Sequence, residues 1–189
     1  MKRILALLLT FSTISVFSQE TKKDPLIVNV EGVYGMGSIY DEERKSGGVG
    51  FGAGVWLPFK AGFIDLGIDF TSSASRNNGE LQILFDFPFS IISDSTMEIK
   101  GYVGAGVALG RIFNNQEYFL LNHPYGPVED YNDGGFIVNL GLELKPHNAN
   151  YAFYLDAKTG VISVPGWADN VTTPFKISLG VRFLLDNLK

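Results

Sequence analysis

Three features of this sequence predict an all-β fold, specifically a closed eight-stranded antiparallel up-and-down transmembrane β-barrel. Apolar and polar residues alternate at period two through one run after another, the mark of strands with two unlike faces. No uninterrupted apolar stretch of helical length follows residue 17, so any membrane crossing has to be made by strands. The connections alternate between tight turns and longer polar loops, as they do in up-and-down barrels with short inner turns and longer outer loops.

The 189 residues suit one domain with a real interior, and 22 glycines with 13% aromatics fit a barrel of short strands. Met1-Lys2-Arg3 followed by the apolar run Ile4 to Phe17 reads as a secretory signal peptide over residues 1–18, cut between Ser18 and Gln19. Residues 19–25 form a periplasmic tether, 26–185 the barrel and 186–189 a C-terminal extension. The formal charge is -5, and -7 without Lys2 and Arg3, which gives no electrostatic basis for nucleic-acid binding. The absence of cysteine excludes disulfides, thiolate metal sites and cysteine nucleophiles.

The first strand runs from Leu26 to about Ile39, with Leu26, Val28, Val30 and Tyr34 opposite Asn29 and Glu31. The second, Gly48 to Leu57, sets Val49, Phe51 and Val55 against four glycines and Trp56. The third, Phe63 to Ser72, sets Ile64, Leu66 and Ile68 against Asp65 and Asp69. A polar loop over Ser73 to Gly79 leads to the fourth strand, Glu80 to Ile92, where Pro88 calls for a bulge or a strand end. The fifth covers Met97 to Ile112, the sixth Gly135 to Lys145 after the longest loop, the seventh Tyr151 to Ser163. The last is Phe175 to Leu185, apolar at Phe175, Ile177, Leu179, Val181, Phe183 and Leu185, with Lys176, Ser178, Gly180, Arg182 and Leu184 opposite.

One face of these sets carries no charge. The other carries Glu31, Asp65, Asp69, Glu80, Asp86, Glu98, Lys100, Glu143, Lys145, Asp156, Lys158, Lys176 and Arg182. A soluble lipocalin-like carrier would also segregate charge, but with its bulky apolar face inside. An eight-stranded barrel has an interior only wide enough for side chains to fill, too narrow for so many Phe, Leu and Ile. Glycine alternating with long charged residues suits a narrow lumen. The charged face is therefore inside and the apolar face meets lipid, with aromatic girdles at Phe59, Phe63, Phe89, Tyr151 and Phe183 on one side and Tyr34, Phe70, Phe136 and Phe175 on the other. Glu31, Asp65, Asp69, Asp86, Lys100, Asp156, Lys158 and Arg182 are the expected members of a structural ion network in the lumen, since buried charges must pair or be hydrated.

The chain resembles the small eight-stranded outer-membrane barrels of diderm bacteria, the OmpA- and OmpX-like class, over about residues 26 to 185. Ser178-x-Gly180-x-x-Phe183-x-Leu185 is similar to that family's C-terminal signal, although it ends on Leu185 rather than an aromatic and four residues follow. The resemblance implies export to the outer membrane and recognition of Ser178, Gly180, Phe183 and Leu185 by the barrel-assembly machinery.

Enzyme chemistry is thinly supported. His123 in the longest loop and His147 in a tight turn lack Ser and carboxylate partners at a fixed spacing, and Gly47 to Gly54 lacks the Lys-Ser/Thr of a phosphate loop. The expectation is a structural or surface-interaction role without catalysis, cofactor or metal. The partners are outer-membrane lipid, the assembly machinery and an unidentified extracellular partner, and the protein is a monomer. Tyr118, Phe119, Tyr125, Tyr131 and Trp167, set among Gly, Asn and Asp in outer loops, are the contact candidates. The alternatives are a narrow, weakly cation-preferring channel, a lipid-modifying enzyme and the lipocalin-like carrier.

Overall fold

The computed structural model describes residues 26–36, 47–115, 130–163 and 171–185. Its strands are β1 (Leu26–Met36), β2 (Gly48–Phe59), β3 (Gly62–Ser72), β4 (Arg76–Ser93), β5 (Met97–Asn114), β6 (Tyr131–Pro146), β7 (Tyr151–Ser163), the two-residue β8 (Val171–Thr172) and β9 (Phe175–Leu185). Each long strand pairs antiparallel with the next, and β9 pairs with both β7 and β1, so eight strands close into a barrel. Closure satisfies the backbone polar groups without water, which is what a spanning structure requires.

The ladder fixes the geometry. Leu57 lies one residue beyond Trp56, the partner of Ile27, and is therefore level with Leu26. The line from Leu57 through Ile64, Phe85, Ala105, Val138, Thr159 and Phe175 returns to β1 at Met36, ten residues further along. For eight strands that shear gives a tilt of about 40°, so each residue climbs about 2.5 Å along the barrel axis. On this scale Phe59, Phe89 and Tyr151 form one girdle and Tyr34, Phe70, Phe136 and Phe175 another, with the outermost rings roughly 20–25 Å apart, the height of an apolar band in lipid. The side chains between them are large, apolar and exposed: Phe51 is 65% exposed and Leu179 65%. Such a surface has no place in water.

The structure departs from the sequence reading at several points. Arg76, Asn77, Asn78 and Gly79, expected in a loop, extend β4 outward against β3 and β5, and the connection shrinks to Ser73–Ser75. There Ser73 Oγ accepts from the Arg76 N–H at 3.1 Å, and the Asn115 N–H donates to the Ser75 carbonyl. Polar composition suggested the loop; pairing on both sides overrides it. Likewise Tyr131 to Gly134 belong to β6. Pro88 pairs normally with Tyr102, and the register shift falls at Ser90/Ile92 instead. Beyond Asp86 β4 has left β3 behind, and an edge strand tolerates a residue without an N–H. Phe63 is no girdle residue: it packs inside on Trp56, ring centroids 5.0 Å apart.

Residues 1–25, 37–46 and 186–189 lie outside the described residues, and with them the signal-peptide cut at Ser18 and Gln19, the tether, the end of the first strand at Ile39 and the C-terminal extension.

Candidate functional site

The inward face of every long strand contributes to one continuous column of side chains. At its inner end Arg182, fully buried, stands in an aromatic box. Its guanidinium carbon lies 3.5 Å from the centroid of Trp56, 4.1 Å from that of Tyr154 and 4.6 Å from that of Tyr102. One nitrogen donates to Glu143 Oε2 at 2.8 Å and another to the Tyr102 hydroxyl at 2.8 Å. A planar cation with several donors can stack and pair at once, which an ammonium cannot. The box exists because small residues face its rings. A Cβ on Gly141 would collide with Tyr102, and one on Gly180 would stand 2.7 Å from the Tyr154 ring and hydroxyl.

Above the box, Tyr154 donates to Glu31 Oε2 at 2.7 Å and accepts from Asn29 Nδ2 at 3.2 Å. Lys158 donates to Gln82 Oε1 at 3.1 Å and stands 3.9 Å from both Glu31 and Asp156. Asn139 Nδ2 donates to Asp86 at 3.2 Å. Higher still, Lys176 binds Asp69 and Glu80, the latter at 2.9 Å, while Gln82 Nε2 donates 2.6 Å bonds to the same two carboxylates. One void beside Glu80, Lys158 and Lys176 measures about 10 Å³, room for a single water.

Of the eight network residues read from sequence, Glu31, Asp65, Asp69, Asp86, Asp156, Lys158 and Arg182 are buried in this column. Lys100 is the exception. Its side chain is 36% exposed and pairs at 3.0 Å with Glu98 at the inner rim, because it lies below the box, where the lumen opens to water. Parity alone put it inside; its height along the strand keeps it out of the network.

The reading also omitted residues of the column. Leu84, Ala108, Ile112, Ile137 and Ile162 form an apolar cluster inside the barrel. Their parity is the available signal, since Leu84 shares a face with Gln82 and Asp86 and Ile137 with Asn139; an apolar side chain simply draws no attention on a polar face. Arg76 and Asp133 are buried as well, hidden by their assignment to loops. Arg76 Nε donates to Asn114 Oδ1 at 3.1 Å.

Ser178 and Gly180 of the C-terminal signal face the lumen, whereas Phe183 and Leu185 face outward at the inner end of β9, where Leu185 pairs with Leu26. Among the contact candidates Tyr131 is the first residue of β6, and Tyr118, Phe119, Tyr125 and Trp167 lie outside the described residues, as does His123. His147 sits in the β6–β7 turn. Its ring nitrogen bonds the Asp94 carbonyl and its N–H donates to Thr96 O at 3.1 Å, tying two inner turns together. Asp94 itself accepts from the Thr96 hydroxyl, the Thr96 N–H and the Met97 N–H, which together hold its carboxyl down to about 2. Among the described residues no three His, Cys, Asp or Glu side chains converge as a metal site.

No family model matches the chain, and no curated protein does. Solved structures match it well in shape. Neisserial surface protein A (NspA) superposes with a TM-score of 0.52 at 16% identity, over 85% of this chain and 97% of that one. Ail, the attachment invasion locus protein of Yersinia pestis, gives 0.51 at 13% identity, over 86% of this chain and all of the other. The structural neighbours are small eight-stranded outer-membrane β-barrels, and the chain shares their fold.

Proposed function

We propose that this chain is an exported, monomeric outer-membrane barrel with a plugged lumen, whose work is done by its outer loops in contact with an extracellular partner rather than by catalysis. The closed column, with Arg182 stacked on Trp56, Tyr102 and Tyr154, is the observation that supports it most directly. A lumen filled in this way is a rigid support for loops, and rigid scaffolds carrying variable loops are a common recognition design. The two shape neighbours, one a surface protein and the other an attachment invasion locus protein, lend the same support by analogy of fold. Export through residues 1–18 and engagement of Phe183 and Leu185 by the assembly machinery complete the proposal.

The test is deletion of residues 116–129, which leaves β5 and β6 whole. Cells displaying this variant are expected to lose attachment to host surfaces, while heat-modifiable migration of the barrel on gels is unchanged. Attachment equal to that of the full chain overturns the surface role. In planar bilayers the full chain is expected to show no conductance above background, and steady single-channel steps would replace the plug by a pore.

A further inference from the structure

On the inner wall, between the Arg182 box and the lysines above it, two carboxylates stand together without a cation. Asp65 of β3 and Asp86 of β4 both face the lumen and are buried, at 2% and 0% exposure. Asp65 pairs with Leu84, two residues from Asp86, so the acids are diagonal neighbours across the β3–β4 ladder, close enough for their side chains to interact. Among the described residues no lysine or arginine nitrogen lies within 4.0 Å of either. Arg182 meets Glu143 and Asp156, and Lys158 meets Glu31 and Asp156. Lys176 is taken by Asp69 and Glu80. A buried carboxylate needs a counter-charge, and these two alone of the column between the girdles lack one among the described residues.

A third polar group joins them. Asp86 and Asn139 face Gly104 of β5 from its two sides, and Asn139 reaches across it to donate through Nδ2 to Asp86 Oδ1 at 3.2 Å. Glycine is required there, because a Cβ on Gly104 would collide with Asp86 Oδ1. Three oxygens of this arc, Asp65 Oδ1, Asp86 Oδ2 and Asn139 Oδ1, are buried and accept no hydrogen bond from a described residue. Space adjoins them. Gly67, the next inward residue after Asp65, has no atom beyond its chain neighbours within 4 Å of where a Cβ would stand.

We infer that Asp65, Asp86 and Asn139 form a luminal site for one hard divalent cation, of the calcium and magnesium class. The donors are all oxygens, which suit these ions rather than zinc or copper. Two carboxylates and an amide leave the rest of the shell to water, a common arrangement for magnesium and one that calcium accepts. Charge selects a divalent ion. A single shared proton or a monovalent ion would leave one of the two carboxylates buried and uncompensated.

Terbium, a luminescent stand-in for calcium that a nearby indole excites, tests this, since Trp56 is the register partner of Asp65. The full chain refolded into micelles with terbium is expected to give indole-sensitised emission that saturates at one ion per barrel and is displaced by calcium or magnesium. Asp65→Asn and Asp86→Asn are each expected to abolish it, and Asn139→Ala to weaken binding about 10–100-fold. Glu98→Gln, a change at the inner rim, should leave it as it is. Heat-modifiable migration verifies that each variant folds. The urea midpoint of the unaltered chain should fall when it is refolded with a chelator, and that of Asp86→Asn should not. Emission that survives both aspartate exchanges, or that neither calcium nor magnesium displaces, overturns the site. So does a midpoint of the unaltered chain indifferent to the chelator, the result expected where a shared proton neutralises the pair. The outer loops take no part, so this result is independent of the attachment test.

Discussion

Lys176 and Arg182 lie six residues apart on the same face of β9, both buried, and they neutralise charge in different ways. Lys176, toward the outer end, is a point charge between two carboxylates, Asp69 and Glu80, with Gln82 donating to both acids. Arg182, toward the inner end, has one hydrogen-bonded carboxylate, Glu143, a second acid, Asp156, at 4.0 Å, and otherwise three aromatic rings, of which Tyr102 lends its hydroxyl. The ammonium needs counter-charge on several sides and no particular plane. The guanidinium makes do with one acid in direct hydrogen bond because its faces stack and its edge donates. The outer half of the lumen is thus an ionic cluster, and the inner half is a stacked plug that also gives the barrel its floor.

The largest effects follow from that contrast. Arg182→Ala leaves Glu143 without its cation and opens the box, and is expected to destabilise the barrel by about 3–5 kcal/mol. The charge-keeping exchanges separate the two designs. Arg182→Lys should retain the ion pair but lose the stacking and the Tyr102 bond, costing roughly 1–3 kcal/mol, whereas Lys176→Arg should cost less than that because Asp69 and Glu80 accept either cation. Urea unfolding of vesicle-inserted protein measures all three. Equal costs for the two exchanges would mean that the rings around Arg182 contribute packing alone.

Between the two cations the strand offers a finer comparison, of its inner and outer faces. Ser178 is fully buried beside Asp156, its register partner, and Leu179 points into lipid. Leu179→Lys is expected to cost about 2–4 kcal/mol near mid-membrane, and Ser178→Asn, a small polar exchange that sets an amide donor toward Asp156, distinctly less. The same unfolding titration reads both. If the two substitutions cost the same, the inside and outside of the barrel have been assigned to the wrong faces.

This alternation is why so much of the molecule could be read from its sequence. Period two sorted Glu31, Asp65, Asp156 and Arg182 to one side, and glycine among them pointed to a narrow interior, because lipid and a cramped lumen both impose strict and opposite demands on alternate residues. What failed was height. Nothing in the local pattern says how far a residue stands along a tilted strand. Parity therefore assigns Lys100 to the network although it reaches the rim, and Phe63 to a girdle although it packs on Trp56. Arg76 and Asp133 read as loop residues because polar residues close to a turn look alike whether they end a strand or prolong it. The partners of the Arg182 box were also beyond reach: Trp56, Tyr102 and Tyr154 come from β2, β5 and β7, and only the closed ladder brings them to one point.

The smallest expected effect lies outside the membrane, where a carboxylate is held by donors rather than by cations. Asp94, exposed in the β4–β5 turn, accepts from the Thr96 hydroxyl and N–H at 2.7 Å each and from the Met97 N–H at 3.0 Å. These bonds favour the charged form, so the folded carboxyl titrates at about 2 in place of the usual 3.8. A depressed carboxyl contributes stability that is present above its unfolded value and is lost as pH falls through the folded one, here from about 4 down to about 2. Amide chemical shifts of Thr96 and Met97 in micelles should therefore move with a midpoint near 2, and Asp94→Asn should remove that transition while leaving the barrel signals in place. A midpoint at the ordinary carboxylate value would show that the turn opens in solution. Asp94 would then differ from Glu31 and Asp69 in being held by nothing, rather than in being held by the backbone.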